Sequence, residues 1–241
     1  MKKSIFIAVL AGLVSIMSCN TDDISCKRVS SEIVTGQKTL TGYDGIVFSA
    51  VGDVWITQGT EYSFSMQGPK NVIEALTTEI VGSDLLICSS ACFNGTTGDN
   101  QLTLKITMPV IRSLEMSGTG NMKSFNTLKG DHISICFYGV GSLNVDAEAD
   151  SINLEITGTG AIRLTGAAHK HNIIYTGVAE LETYGLVTDT TVVLHRGTGN
   201  CHFFVNDILD VNLLGTGNVY FKGNPVVEQH IEGTGKVIDA N

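Results

Sequence analysis

Residues 151–164 read SINLEITGTGAIRL, and this stretch decides the fold. Every second residue from Ile152 to Leu164 is isoleucine, leucine or glycine, and the positions between them are mostly polar. Such alternation is the period of a β-strand with one buried face. The glycines at 158 and 160 share the parity of the apolar residues, so the stretch predicts a strand, an inward-facing glycine corner and a second strand.

The same pattern occurs seven times, with the first glycines of successive copies 21, 19, 19, 20, 18 and 18 residues apart. A unit of this length cannot enclose a core alone, but stacking copies at about 4.8 Å pairs each strand with its equivalent and buries one column of side chains. This predicts an all-β parallel β-helix, or β-solenoid. An antiparallel sandwich or propeller is the alternative, but it calls for Asn-Gly or Asp-Gly hairpins that the joins lack.

The glycine corners are predicted to be structural positions. An inward Cβ at the bend would meet the opposite wall or require backbone angles that only glycine tolerates. Ala179 replaces the second glycine in the fourth copy, which puts the local corner geometry in doubt but not the fold. The predicted corner glycines are Gly118, Gly120, Gly139, Gly141, Gly158, Gly160, Gly177, Gly197, Gly199, Gly215, Gly217, Gly233 and Gly235. The residues between them form a predicted outward ladder: Thr119, Val140, Thr159, Val178, Thr198, Thr216 and Thr234.

The chain divides into three predicted parts. Residues 1–18 carry two lysines before a short apolar run, which is typical of a signal peptide. The segment ends in Ile-Met-Ser-Cys, which resembles the lipobox of bacterial lipoproteins and implies lipidation of Cys19; an ordinary secretory signal is the alternative. Residues 19–40 are expected to form a tether, and 41–241 a single β-helix domain. Within it, the alternation from Ile46 to Ile56 predicts a divergent first coil, about 62–100 is an insert or cap, and about 102–241 are the regular coils.

Composition and charge limit the possible partners. The chain has 241 residues, of which 43% are hydrophobic, so it can form a sizeable core. Its 15 Lys and Arg against 24 Asp and Glu give a net charge of −9, which nucleic-acid phosphates would repel. We therefore expect no nucleic-acid partner.

Cysteines and histidines predict no metal or cofactor. Once Cys19 is assigned to lipid, an odd number of cysteines remains, and Cys88 and Cys92 are the one pair close enough in sequence to propose a disulfide. No second ligand pair lies near them at zinc-site spacing. His169 and His171 make an incomplete ligand set. His171 and His195 have inward parity, where one satisfied hydrogen bond would explain each of them.

Two outward columns offer candidate functions. Glu115 and Glu155 lie on one outward column two coils apart, about 9.6 Å along the stack, near the upper end of the separation in inverting glycosidases. Both are expected on a flat face without a cleft, so no catalytic residue is predicted. A second outward column contains polar and aromatic residues that could bind a glycan or a protein: Lys123, Asn144, Arg163, Glu182, His202, Tyr220 and Ile238, with Trp55 outward in the first coil.

The lipoprotein signal, the block AVGDVWITQG at 50–59 and the serial Gly-Thr-Gly units resemble the bacterial family named putative auto-transporter adhesin, head GIN domain. The resemblance covers roughly residues 45–237. It implies a right-handed β-helix exported to the envelope and an adhesive role, and it supplies no catalytic or ligand-binding residues.

The expected function is a surface-anchored, non-catalytic adhesion or binding module for a glycan or protein ligand. Two alternatives are an envelope scaffold that self-associates through its coil ends and a polysaccharide-acting β-helix enzyme. The acidic residues Asp22 and Asp23 after Cys19 resemble export signals of Bacteroidetes-type lipoproteins. They favour lipid anchoring at the outer membrane with display on the cell surface, the periplasmic face being the alternative.

Overall fold

The computed structural model describes residues 26–95 and 101–241. Within these ranges the chain forms one short helix, α1 (Lys70–Glu74), and β-strands that belong almost entirely to one sheet. The strands are β1 (Lys27–Arg28), β2 (Ile33–Lys38), β3 (Gly45–Ser49), β4 (Asp53–Gln58), β5 (Ser63–Pro69), β6 (Leu76–Val81), β7 (Asp84–Ser89), β8 (Phe93–Asn94), β9 (Thr103–Met108), β10 (Ser113–Met116), β11 (Thr119–Ser124), β12 (Leu128–Phe137), β13 (Val140–Ile156), β14 (Thr159–Tyr175), β15 (Glu180–His195), β16 (Cys201–Leu213), β17 (Val219–Lys222), β18 (Val226–Ile231) and β19 (Val237–Asp239).

From β10 onward the repeats stack as parallel coils. Each coil pairs with the next in the register that the glycine alignment predicts: Gly120 pairs with Gly141, and Gly141 with Gly160. One inward column passes through successive coils at Leu114, Ile135, Leu154, Ile173, Val193, Val211 and Gln229. The parallel register confirms the predicted β-solenoid and excludes the antiparallel sandwich and propeller. The right-handed sense of the coil stays a prediction.

The core is the continuous column of inward side chains that stacking encloses. Ile135, Phe137, Leu143 and Val145 of one coil are all fully buried. The residues between the corner glycines face solvent along the whole stack, as predicted, with Val140 53% and Val178 54% exposed. A β-branched residue suits the extended backbone at these positions.

The structure confirms the predicted need for glycine backbone angles at the first corners, but the steric restriction comes from the adjacent coil and not from the opposite wall. A Cβ on Gly141 would overlap the carbonyl oxygen of Gly120, the equivalent residue of the adjacent coil, rather than the opposite wall. Gly160 would collide with Gly141 in the same way. Gly120, Gly141 and Gly160 also have φ of 137°, 137° and 140°, which L-residues avoid. Both the backbone angle and the approach of the next coil therefore require glycine.

Ala179 marks a change in corner conformation. It is fully buried, and no non-glycine residue in the described ranges has a positive φ. The later second glycines, Gly199, Gly217 and Gly235, likewise lack the positive φ of the first three coils. The corner after β14 thus uses ordinary backbone angles, and this is why alanine is accommodated there while the coils continue.

The N-terminal coil lies inside the stack rather than at its end. It consists of β3 and β4, and it pairs in parallel with β10 and β11 on one side. On the other side it pairs in parallel with β7 and β9. The coil formed by β7 and β9 is therefore the terminal one, although it follows β3 and β4 in sequence. Its inward residues, among them Leu85, Ile87 and Leu104, are fully buried.

Antiparallel strands cover the outer edge of this terminal coil. β6 pairs with β7, β5 pairs with β9, and β2 pairs with β5, all antiparallel. The segment predicted as a cap therefore contributes β7 to the stack and β5 and β6 to its cover. The helix α1 starts after Pro69 and buries Val72. In the part of the chain described, no helix has the length and apolarity needed to cross a membrane.

The fold already includes residue 26, which lies within the range 19–40 that was expected to form a tether. β1 pairs with β8 in parallel, and Cys26 forms a disulfide with Cys92. The proposed Cys88–Cys92 pairing is therefore wrong: the pairing of β1 with β8 places Cys26 beside Cys92, which sequence spacing does not reveal. The predicted signal peptide at 1–18 and the lipidated Cys19 lie outside the described residues.

Candidate ligand-binding face

The second strands of successive coils carry an outward column of side chains that are polar or aromatic up to the last coil, where the position is Ile238. We call it the central column. Backbone pairing places its members in one register: Lys105, Trp55, Lys123, Asn144, Arg163, Glu182, His202, Tyr220 and Ile238. None of these residues is buried. The sequence placed the column from Lys123 to Ile238, and the structure adds Lys105 and Trp55 at its start.

One end of the central column is a cluster of two lysines and two aromatic rings, the tryptophan cluster. The ammonium nitrogens of Lys105 and Lys123 lie 5.1 and 4.5 Å from the Trp55 ring centroid. The Phe125 ring meets the Trp55 ring edge-on, with 5.4 Å between their centroids. The Lys123 ammonium nitrogen lies 4.8 Å from the Phe125 ring centroid. Phe125 is 57% exposed. Cation–π contacts at such exposed sites contribute about 0.5–1 kcal/mol each, so the indole holds both ammonium groups at the surface.

Positive charge is concentrated along this half of the column. Arg163 lies two coils beyond Lys123, with Asn144 between them. The acidic residue next to Trp55 is Asp53, whose Oδ1 accepts hydrogen bonds from Gln101 Nε2 at 2.7 Å and from Asn121 Nδ2 at 2.8 Å. The ion pairs among the described residues do not include Asp53 with either lysine. Basic groups on this half remain available to a ligand.

The other half carries the histidine cluster, which consists of Glu180, Glu182, Tyr184, His202 and Tyr220. The His202 ring stacks on Tyr220 with 4.9 Å between centroids and 7° between planes, and it meets Tyr184 edge-on at 5.2 Å. Its Nδ1 lies 3.2 Å from Glu182 Oε1 and 3.6 Å from Glu180 Oε1. Burial, followed by the charge of Glu182 and the effect of Tyr220, raises the pKa of Tyr184.

Sequence reasoning missed part of both clusters. Glu180, Glu182 and Tyr184 alternate along β15, so their shared outward parity was a usable signal for Glu180 and Tyr184. Lys105 carried no such signal, because its pairing with Trp55 depends on the position of β9 beside β4. Phe125 follows β11 at the end of its strand, where parity no longer predicts direction.

The two glutamates weighed for catalysis share an outward column, as predicted. Glu115 pairs with Cys136, and Cys136 pairs with Glu155. Burial raises the pKa of Glu115, and the charges of Asp84 and Glu155 raise it further. Both side chains leave the same face of one sheet, so they do not face each other across a substrate as glycosidase carboxylates do.

The remaining histidines do not come together. His169 is exposed and bonds Asp189 Oδ2 at 2.7 Å, and this hydrogen bond raises the His169 pKa. His171 points inward, is fully buried, and has no hydrogen-bond partner on either ring nitrogen. His195 Nε2 lies 2.9 Å from the Gly199 carbonyl oxygen. The expectation of one satisfied bond is therefore confirmed for His195 and wrong for His171, whose column neighbours are Ile152 and Thr191.

The fold and this face together define a class of protein: a β-solenoid module with an outward column of charged and aromatic side chains on one sheet face. The chain belongs to the family described as putative auto-transporter adhesin, head GIN domain, whose sequence profile matches residues 42–225. This match confirms the family resemblance seen in the sequence. It ends at residue 225, somewhat before the expected end near residue 237.

Solved structures share the fold at low sequence identity. A putative adhesin from Bacteroides fragilis matches with a TM-score of 0.81 and 20% identity, over 88% of this chain and 99% of that one. A putative adhesin from Parabacteroides merdae gives 0.64 and 19%, over 89% and 98%. A putative lipid binding protein from Parabacteroides distasonis gives 0.68 and 18%, over 90% and 100%. No curated protein matches the chain.

Proposed function

We propose that the protein is a non-catalytic adhesion or binding module whose tryptophan cluster binds anionic groups of an extended glycan. The observation that carries the proposal is the pair of ammonium groups held on Trp55 at 5.1 and 4.5 Å. Trp55 lies between the two lysines in the column, so the cluster suits negative groups better than it suits stacking of a neutral sugar. The family's description as an adhesin supports a binding role.

A glycan fits the geometry better than a compact protein does. The central column repeats every coil, about 4.8 Å, on a sheet face, and it offers Lys123, Asn144 and Arg163 in succession. An extended polymer can contact such a row through successive acidic units. Binding of an acidic protein segment instead of a polysaccharide is a distinct outcome of the experiment below.

The test compares acidic and neutral polysaccharides, and an acidic protein, on immobilised full-chain protein. We expect the acidic polysaccharides to bind and the double variant Lys105→Ala/Lys123→Ala to bind them at least about tenfold more weakly, since each charge-assisted contact contributes about 1.5–3 kcal/mol. Binding should also weaken as salt is raised, because exposed charges are screened.

The matched control is Lys170→Ala, an exposed lysine outside the central column. It should leave binding unchanged. If the control and the double variant lost the same affinity for polysaccharide, the effect would come from net charge and not from the tryptophan cluster. If the double variant still bound polysaccharide, the cluster would not be the binding site. If the protein cleaved the polysaccharide and Glu115→Gln or Glu155→Gln abolished the cleavage, the protein would be an enzyme and not a binding module.

We also propose that residues 1–18 direct export and that Cys19 carries the lipid that anchors the protein in the outer membrane, with the solenoid on the cell surface. The lipobox-like Ile-Met-Ser-Cys and the acidic residues after it support this location. Protease added to intact cells should degrade the solenoid, and Cys19→Ser should release it from the membrane fraction. Protection until the outer membrane is opened would place it on the periplasmic face.

A further inference from the structure

We propose that Glu180, Glu182 and His202 form a binding site for a divalent transition-metal ion, with zinc as the best fit. Imidazole nitrogen and carboxylate oxygen are the donors that zinc uses in proteins, and sites with three protein ligands leave a position for water or a further ligand. This inference is independent of the tryptophan cluster, which lies at the other end of the central column.

The fold brings the three donors to one point. Glu180 and Glu182 are alternate residues of β15 and leave the same face, and His202 is the register partner of Glu182 in β16. One ligand atom from each residue lies within 4.8 Å of the other two. No other such group is found among the residues that the structure describes.

The separations suit a tetrahedral ion. Ligands at about 2.0–2.1 Å from zinc are about 3.3–3.4 Å apart when the angle between them is tetrahedral. His202 Nδ1 lies 3.2 Å from Glu182 Oε1 and 3.6 Å from Glu180 Oε1, on either side of that value. The two carboxylate ligand atoms lie within 4.8 Å of each other, so the third separation closes by side-chain movement when an ion binds.

Neighbouring groups hold the donors in place. Tyr220 stacks on the His202 ring and Tyr184 meets it edge-on, so the His202 side chain is only 15% exposed and its rotation is limited. The Asn200 backbone N–H donates to Glu180 Oε2 at 3.4 Å, which leaves Oε1 of that carboxylate facing the histidine. Partners of this kind orient metal ligands and commonly alter affinity tenfold or more.

A hydrogen-bonded cluster without metal is the alternative to a zinc site. His202 Nδ1 also lies 3.3 Å from the Leu181 carbonyl oxygen, so a protonated Nδ1 could donate to that oxygen or to either carboxylate. A plain ion-pair cluster would therefore show the same short contacts. The two alternatives differ in whether the cluster binds zinc, and this can be measured directly.

The test is calorimetric titration of the full-chain protein with zinc chloride near pH 7.5 in a buffer that does not chelate metal. We expect one ion per chain with a Kd on the order of 10 μM. Glu182→Gln and His202→Gln should each weaken binding at least about tenfold. Cobalt(II) bound at the site should give a visible absorption spectrum that zinc abolishes by displacement.

The matched control is His230→Gln, which removes an exposed histidine lying 2.9 Å from Glu232. It should leave the stoichiometry and affinity unchanged. Glu180→Gln provides a third variant that keeps the aromatic stack on His202, so the proposal remains testable if His202→Gln fails to fold. Absence of binding up to about 1 mM zinc, or an affinity that all three site variants leave intact, would overturn the proposal.

Discussion

Substitution of Gly141 by alanine is expected to lower the free energy of unfolding by about 3 kcal/mol or more. Gly141 has a φ of 137°, which costs an L-residue backbone strain. The added Cβ would also overlap the carbonyl oxygen of Gly120, which is backbone and cannot rotate away. Relief of the overlap requires the two coils to separate, so their ladder weakens. Urea denaturation of the full chain followed by circular dichroism measures the loss.

The matched control is the reverse change, Ala179→Gly, at the equivalent position two coils away. Because that corner uses ordinary backbone angles, the control should cost only about 1 kcal/mol, from greater freedom of the unfolded chain and a lost methyl contact. If Gly141→Ala lowered the free energy of unfolding by no more than the control does, the corner would not require glycine.

Replacement of His171 by leucine is expected to raise the stability and to do so increasingly as the pH falls. The ring is fully buried without a hydrogen-bond partner, and desolvation lowers its pKa from 6.5 to about 3. Below pH 6.5 the unfolded chain therefore binds a proton that the folded chain does not, and stability is lost as the pH falls towards 3. This residue alone would remove about 3 kcal/mol by pH 4, at 1.36 kcal/mol per pH unit.

The measurement is the free energy of unfolding of wild type and His171→Leu between pH 8 and pH 4. At pH 7 to 8 the variant should already gain about 1–3 kcal/mol, because leucine leaves no buried polar atom unpaired. The difference between the curves isolates His171 from His195, whose pKa is also lowered by burial. His132→Leu, at an exposed site, serves as control. Parallel curves for wild type and His171→Leu would show that the buried ring does not control acid stability.

The regular coils could be predicted because each of them repeats the same local information. Alternation around Gly158 and Gly160 fixed which side chains point inward, and the even spacing of the copies fixed which strands pair. The outward ladder from Thr119 to Thr234 followed from the same parity. These are consequences of a two-residue period and a constant repeat length, both of which are visible in one sequence.

The N-terminal end could not be predicted in the same way. Parity correctly placed Ile46, Phe48, Val54 and Ile56 inward, but it does not say which strand lies alongside. The pairing of β3 with both β7 and β10 joins segments far apart in sequence, and no repeat marks it. The Cys26–Cys92 disulfide depends on the same long-range arrangement.

The candidate face was half predictable. The column from Lys123 to Ile238 could be predicted from the alignment of the repeats. The distances between its side chains, which decide what the column can bind, could not. Trp55 acquires its two lysines because β4 lies between β9 and β11. His202 acquires its carboxylates because strand register places it beside Glu182. Similarly, no pattern shows that His171 lacks a partner, since that depends on where the polar atoms of the surrounding side chains lie.

Because β3 and β4 lie between two segments that come later in the sequence, the two ends of the solenoid should differ in how easily they gain or lose a coil. The strands on the two sides of β3, β7 and β10, are not its neighbours in sequence, so a duplication or deletion there would disturb the path of the chain as well as two interfaces. Beyond β12 each coil contacts only its two neighbours, and a whole repeat could be gained or lost with one new junction. Evolutionary variation in rod length should therefore accumulate towards the C-terminal half, while the opposite half stays constant in size.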